Sequence, residues 1–184
     1  MPNPLTIAGE TLPENEHAFK RWMHHHPHTV LEAAGVTEGI TVLDYGCNRG
    51  VFTLPAGERV GPRGKVYAAD VNAKALRQVR RKAAPSSLNT IETVLIEDTT
   101  HPLDWLSEPV DVALLYDVLQ VIEDKPALLR SLHRALKAGG CLSVFPMHVG
   151  TDRIIALAEE TSLFTLQSRY GMLLNFRAAT SPSS

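Results

Sequence analysis

A chain of 184 residues, 44% of them hydrophobic and 21% charged, has the composition of one soluble globular domain that can bury a core without metal or disulfide. Its net charge of -2 gives no general attraction to phosphate backbones or anionic membranes, so neither nucleic acid nor a membrane surface is a favoured partner. No apolar run approaches the ~20 residues of a membrane span. The N-terminus lacks a signal-peptide core, and Cys47 and Cys141 sit in apolar stretches as buried free thiols would, which points to the cytoplasm.

Residues 1–16 carry Pro2, Pro4 and Pro13 without a clear period and read as an irregular arm. Between His17 and His28, Phe19, Trp22 and Met23 fall at helical spacing, and His24, His25, His26 and His28 crowd its end. Neighbouring residues on a helix point to different faces, so four such histidines cannot converge on one metal. The segment reads instead as a short amphipathic cover. A helix follows from Thr29 to Gly35, and an apolar strand runs from Ile40 to Tyr45. The chain then breaks at Gly46 and Gly50 before a helix from Val51 to Val60, in which Pro55 is tolerable only near the first turn. A strand, a tight glycine turn and a helix start place backbone N–H groups where a polar ligand can meet them.

A second strand covers Lys65 to Ala69 and closes at Asp70, 20 residues beyond Gly50. An acid at that position accepts from ribose hydroxyls in nucleotide-binding α/β folds. The alternative is that Asp70 caps the next helix, Ala73 to Ala84, with Asn72 as its rival. The basic face of that helix, Arg77, Arg80, Arg81 and Lys82, reads as solvated surface. A third strand spans Ile91 to Ile96, a fourth Val110 to Leu115, a helix Lys125 to Lys137 with a stop at Gly139 and Gly140, and a fifth strand Cys141 to Phe145. After a helix over Asp152 to Thr161, Phe164 to Ser168 and Met172 to Arg177 alternate around Tyr170 and Gly171 as an antiparallel pair would. Residues 178–184 form a polar tail.

The stretch Val42-Leu43-Asp44-Tyr45-Gly46-Cys47-Asn48-Arg49-Gly50 resembles the first motif of the class I S-adenosylmethionine-dependent methyltransferases, an acid followed by Gly-x-Gly-x-Gly. It matches at Asp44, Gly46, Cys47 and Gly50 and departs at Asn48, where that family most often has glycine. Asparagine is the least costly replacement for a glycine needed for positive φ, but if the glycine is there to let the ligand approach the backbone closely, the Asn48 side chain would crowd the methionine end of the cofactor and weaken its binding. The context of Asp70 resembles the second motif. Tyr116-Asp117-Val118-Leu119-Gln120 resembles the fourth motif in its small-molecule form and not the Asn/Asp-Pro-Pro-Tyr/Phe form of nucleobase enzymes. Leu136-Lys137-Ala138-Gly139-Gly140 resembles the family's Leu-Lys-Pro-Gly-Gly.

The resemblance implies a three-layer αβα, Rossmann-like fold with a seven-stranded, mostly parallel sheet of order 3-2-1-4-5-7-6, strand 7 antiparallel. It implies an N-terminal arm and lid over residues 1–28, a methyltransferase domain over 29–178 and a tail over 179–184. By the same resemblance S-adenosyl-L-methionine is the cofactor, held by Asp44, Tyr45, Gly46, Cys47, Asn48 and Gly50 from the first turn, Asp70 and Val71 from the second, Asp98 and Thr99 after the third strand, and Tyr116 and Asp117 after the fourth. Trp22 and the histidines are candidates for the lid.

Methyl transfer from a sulfonium needs mainly the positioning of two reactants. Tyr116, Asp117 and His148 fall at the rim of strands four and five, but no catalytic residue is assigned. The acceptor implied is a small molecule; the minimal domain leaves a homodimer interface, the lid or a further partner to hold anything larger. A non-catalytic protein that keeps the fold is the competing reading, motivated by Asn48. A nicotinamide-dependent oxidoreductase fits less well, because residues 46–51 do not form Gly-x-Gly-x-x-Gly.

Overall fold

A computed structural model describes residues 6–86, 88–97 and 103–180 of the protein. The expected contacts of Asp98 and Thr99, and the tail from residue 181, lie outside the described residues. Strands β1 (Thr6–Ile7) and β2 (Glu10–Thr11) form a small hairpin. Here the expectation of an irregular arm is corrected. Two-residue strands are too short to show a period, and the turn is made by Ala8 and Gly9, both at positive φ.

Helices α1 (Glu16–His25) and α2 (Pro27–Ala33) follow, α1 capped by the Asn15 side chain and α2 opened by Pro27. The chain then alternates β3 (Thr41–Tyr45), α3 (Thr53–Val60), β4 (Lys65–Asp70), α4 (Ala73–Ala83), β5 (Ile91–Leu95), β6 (Val110–Tyr116), α5 (Lys125–Ala135), β7 (Leu136–Phe145) and α6 (Thr151–Thr161), and ends in the pair β8 (Phe164–Tyr170) and β9 (Leu173–Ala178). The main sheet has the order β5-β4-β3-β6-β7-β9-β8. Counted from β3, this is the expected 3-2-1-4-5-7-6, and β9 runs antiparallel to both its neighbours.

Side chains alternate along each strand, so the two faces of the sheet receive different layers. Leu43, Tyr45, Tyr67, Leu115 and Val144 point to the face covered by Leu128, Leu129 and Leu132 of α5 and Ile154 and Ala158 of α6. Val42, Val66, Leu114 and Phe145 point to the other, covered by Phe19 and Met23 of α1, Val30 and Leu31 of α2, and Ala56 and Val60 of α3. Leu76 and Val79 of α4 close over Ala68 on that same side. α1 is therefore core as well as cover, since Phe19 and Met23 are buried and Phe19 lies 5.5 Å from the ring of Phe145.

One stretch departs from the expected layout. The helix ends at Ala135, and Leu136 already pairs with Val110, so Gly139 and Gly140 sit in a bulged start of β7, between the pairs Val110–Leu136 and Val112–Cys141. Asp111 holds this irregularity by accepting from Lys137 Nζ at 2.8 and 2.9 Å and from the backbone N–H of Thr41 at 2.9 Å.

Candidate active site

The carboxyl ends of β3 and β6 are adjacent, and their connections leave toward opposite ends of the sheet, one through α3 to β4 and the other through α5 to β7. Such a switch point opens a crevice in a parallel sheet. A cavity of about 380 Å³ occupies it, walled by Asp44, Gly46, Cys47, Asn48 and Arg49 on the β3 side and by Tyr116, Asp117 and Phe145 on the other. Lys20, Met23 and His24 of α1 form its cover, and Val51 and Phe52 line its floor.

The turn after β3 is fixed by its own hydrogen bonds. The N–H groups of Gly46 and Cys47 both donate to the carbonyl of Ala69, at 2.8 and 3.1 Å, and Gly50 N–H donates to Cys47. The N–H of Asn48 donates to Asp70 Oδ2 at 2.7 Å. These N–H groups are thus committed within the protein. The turn acts as a rigid rest and not, as its sequence implied, as a set of free donors. Gly46 has φ +79°, and a Cβ there would lie 2.9 Å from Val118, so the two lips of the crevice touch at this glycine. Asn48 has φ +46°, the left-handed conformation that asparagine tolerates. Its side chain is exposed.

Asp70 does not cap α4; the side chain of Asn72 does, accepting from the N–H groups of Lys74 and Ala75. Asp70 instead accepts from Asn48 with one oxygen and from the N–H of Asn72 at 2.8 Å with the other. A carboxylate has about four acceptor sites, so each oxygen keeps one for a further donor such as a hydroxyl. Asp44 is buried, and Thr53 Oγ1 donates to it at 2.5 Å. Burial pushes its carboxyl up to about 6, the charge of Asp70 adds to the rise, and the Thr53 bond opposes it. Burial likewise raises the Cys47 thiol, and pushes Cys141 up to about 12, so both free thiols are poor nucleophiles.

Several residues of the expected set lie away from the cavity. Tyr45 is an odd neighbour of Asp44 on the strand and is buried on the opposite face, in the layer under α5 and α6. Gly50 faces α4, where a Cβ would stand 3.0 Å from Val79. Val71 is 51% exposed beyond the end of β4. His148, at φ +65°, faces the start of α1, where its ring lies 3.5 Å from Glu16 and its N–H donates to the same carboxylate. Trp22 turns to the N-terminal hairpin, donating to Glu10 at 3.1 Å and stacking on His26. Of the clustered histidines only His24 lines the cavity, edge-on to Phe52. Burial, and then the charge of Lys20, lower its pKa, with Asp117 opposing.

Two features escaped sequence reasoning. Lys20 reaches from α1 to Asp117 and forms an ion pair in the cavity wall. The Tyr116 hydroxyl begins a buried polar row: it meets Ser143 Oγ at 2.8 Å, Ser143 donates to Asn175 Oδ1 at 2.6 Å, and Asn175 Nδ2 donates to Ser168 and to the carbonyl of Ala33. No local sequence pattern marks this row, since its bonds join residues 27 and 32 positions apart.

Residues 36–167 match the model of a methyltransferase-domain family. The chain belongs to this family, the class I S-adenosylmethionine-dependent methyltransferases. Among curated relatives it is 27% identical over 169 residues to the ubiquinone/menaquinone biosynthesis C-methyltransferase UbiE of Shewanella frigidimarina, an alignment covering 91% of this chain and 64% of that protein. It thus spans less than two thirds of the length of that relative. Among solved structures, a SAM-dependent methyltransferase from Aquifex aeolicus superposes with a TM-score of 0.68 at 20% identity, covering 89% of this chain and 97% of the other. The [4+2]-cyclase SpnF superposes with a TM-score of 0.67 at 16% identity, covering 82% and 60%. At these identities the superpositions speak for the fold alone. Among the described residues of this methyltransferase-family chain, no helix is long and apolar enough to cross a membrane.

Proposed function

We propose that this protein transfers the methyl group of S-adenosyl-L-methionine to a small-molecule acceptor. The observation that carries the reading is the cavity at the switch point, bounded by the first-motif turn and by Tyr116 and Asp117, and covered by α1. The residues present fit the cofactor. Asp70 is held by two backbone donors with acceptor capacity to spare, and the left-handed Asn48 preserves the turn that its family usually builds with glycine. The bound cofactor supplies a methyl group on a sulfonium, already activated toward displacement.

In this account Asp70 accepts from ribose hydroxyls, and Gly46, Cys47 and Asn48 form the backbone rest beneath the reacting end. Phe52, Met23 and Phe145 supply apolar walls that exclude water. Orientation of the two reactants accounts for most of the acceleration, since well-aligned intramolecular reactions gain ~7–11 kcal/mol of the barrier. His24, held toward its neutral form, is the group in the wall best suited to take a proton from the acceptor. Residues 1–28 serve as arm and lid over a domain of residues 29–178, with Asp98 and Thr99 completing the cofactor set. The free, unreactive thiols support a reducing, cytoplasmic setting. The UbiE relative, named for C-methylation in quinone biosynthesis, supports a small-molecule acceptor. The absence of basic excess supports the same reading over nucleic acid.

The test uses the protein with methyl-labelled S-adenosylmethionine in three parallel mixtures, containing a small-molecule extract, total RNA or a protein extract. Label in a low-molecular-mass product is expected. Label on RNA or protein, or on nothing, contradicts the proposal.

A further inference from the structure

Five of the chain's 18 lysines and arginines fall on the 11 residues of α4, which carries no acid. Ala75, Leu76, Val79 and Ala83 turn inward and are buried, while Lys74, Arg77, Arg80, Arg81 and Lys82 take the arc left facing outward, and all five are exposed. Among the described residues none of the five forms an ion pair with a carboxylate. Arg80 donates to Thr93 of β5, and Lys82 donates to the carbonyl of Arg49, another exposed cation beside the helix. By contrast Lys65 meets Glu92 at 3.0 Å, and Lys137 meets Asp111 at 2.8 Å. The net charge of -2 averages over this asymmetry, so the rest of the surface is more acidic than that figure suggests. None of the five lines the crevice, and their charge is not spent there.

The same face has an apolar end. Thr93 accepts from α4, so Leu95, two residues on in the strand, stands on that side of the sheet. Leu95 is 55% exposed, and the exposed Val71 lies beside it just before the cap of α4, since Asp70 and Leu95 are register partners. A single strand of nucleic acid stacks its bases on aromatic rings, and α4 presents none. A helix of 11 residues is about 16 Å long and 10 Å across, far short of the ~800 Å² that one side of a stable protein complex presents. A bilayer of anionic lipids meets both features, with headgroups for the cations and the interfacial layer for the two aliphatic side chains. We infer that the outer face of α4, with Val71 and Leu95 at its edge, is a docking surface for an anionic lipid bilayer. The acidic remainder of the protein is repelled by the same bilayer, so the field turns the α4 side toward the lipid. The inference goes beyond the methyl-transfer reading and does not depend on it.

Sedimentation with vesicles tests this on the full chain without any substrate. Phosphatidylcholine vesicles carrying about 30% phosphatidylserine are expected to take the protein down at about 0.1 M salt and to release it at about 0.5 M, and phosphatidylcholine alone to leave it in solution. Arg77→Gln combined with Arg81→Gln is expected to weaken binding about 25-fold, since each basic residue near an anionic leaflet contributes about fivefold. Arg130→Gln combined with Arg153→Gln removes the same charge from exposed positions of α5 and α6, on the other face of the sheet, and is expected to change binding by less than about threefold. Leu95→Ser is expected to weaken binding about threefold, a loss that a purely ionic contact would not show. Thermal midpoints measured alongside establish that each variant is folded. No sedimentation with the anionic vesicles, equal sedimentation with neutral ones, or equal losses in the two double variants overturns the inference. Retention of total RNA by the protein without partition to anionic vesicles overturns it as well, and makes the face a nucleic-acid surface.

Discussion

Asp70 concentrates the argument at the scale of the residue. It accepts one N–H from the β3 turn and one from Asn72 just past its own strand, so a single carboxylate fixes the relation between two loops. Asp70→Ala is expected to lower affinity for S-adenosylmethionine by about tenfold to a hundredfold, since each charged hydrogen bond lost costs about 1.5–3 kcal/mol. Calorimetry on the variant checks this, and an unchanged affinity would leave Asp70 as a loop tie alone. The left-handed Asn48 was legible in the sequence through the tolerance of asparagine for positive φ, and so was Asn72 as the rival to Asp70 for the cap of α4. Tyr45 and Gly50 were misplaced for a local reason. A motif read as a string of letters takes no account of strand alternation, and Tyr45 and Asp44 face opposite sides of one strand.

At the scale of the element, the polar row across β6, β7, β9 and β8 links the crevice to the far edge of the sheet. Ser143 and Asn175 are register partners, as are Ser168 and Asn175, and Asn175 also caps the end of α2 through the Ala33 carbonyl. Since Ser143 spends its hydrogen on Asn175, the Tyr116 hydroxyl donates to Ser143. Ser143→Ala strips the acceptor from one buried group and the donor from another, and is expected to cost about 2–4 kcal/mol of stability in urea unfolding. Adding Tyr116→Phe should recover part of that loss, because an apolar pair leaves nothing unsatisfied on that side. A change of under about 0.5 kcal/mol for Ser143→Ala would mean that water replaces the row. Nothing in the local sequence gives this away, since the bonds join residues 27 and 32 positions apart. The bulge at Gly139 and Gly140 was hidden for a similar reason. Its strand pairing depends on Asp111, which lies on the preceding strand β6, with α5 between them in the chain.

At the scale of the whole molecule, the order of the sheet places the switch point between β3 and β6, and everything proposed for the site follows from that position. The order was legible because alternating strands and helices allow few right-handed arrangements, and because the terminal hairpin marks this fold among its relatives. The role of α1 was legible only in part. Its amphipathic period announced a cover, but which of its residues face the crevice depends on the angle at which it crosses the sheet. That angle sends His24 and Lys20 inward and Trp22 to the N-terminal hairpin. The measurement that bears most directly on the account is calorimetric titration of S-adenosylmethionine and S-adenosylhomocysteine into the unmodified protein. Binding of both in the micromolar range, with one site per chain, is the predicted result, and no heat from either at millimolar concentration would contradict it.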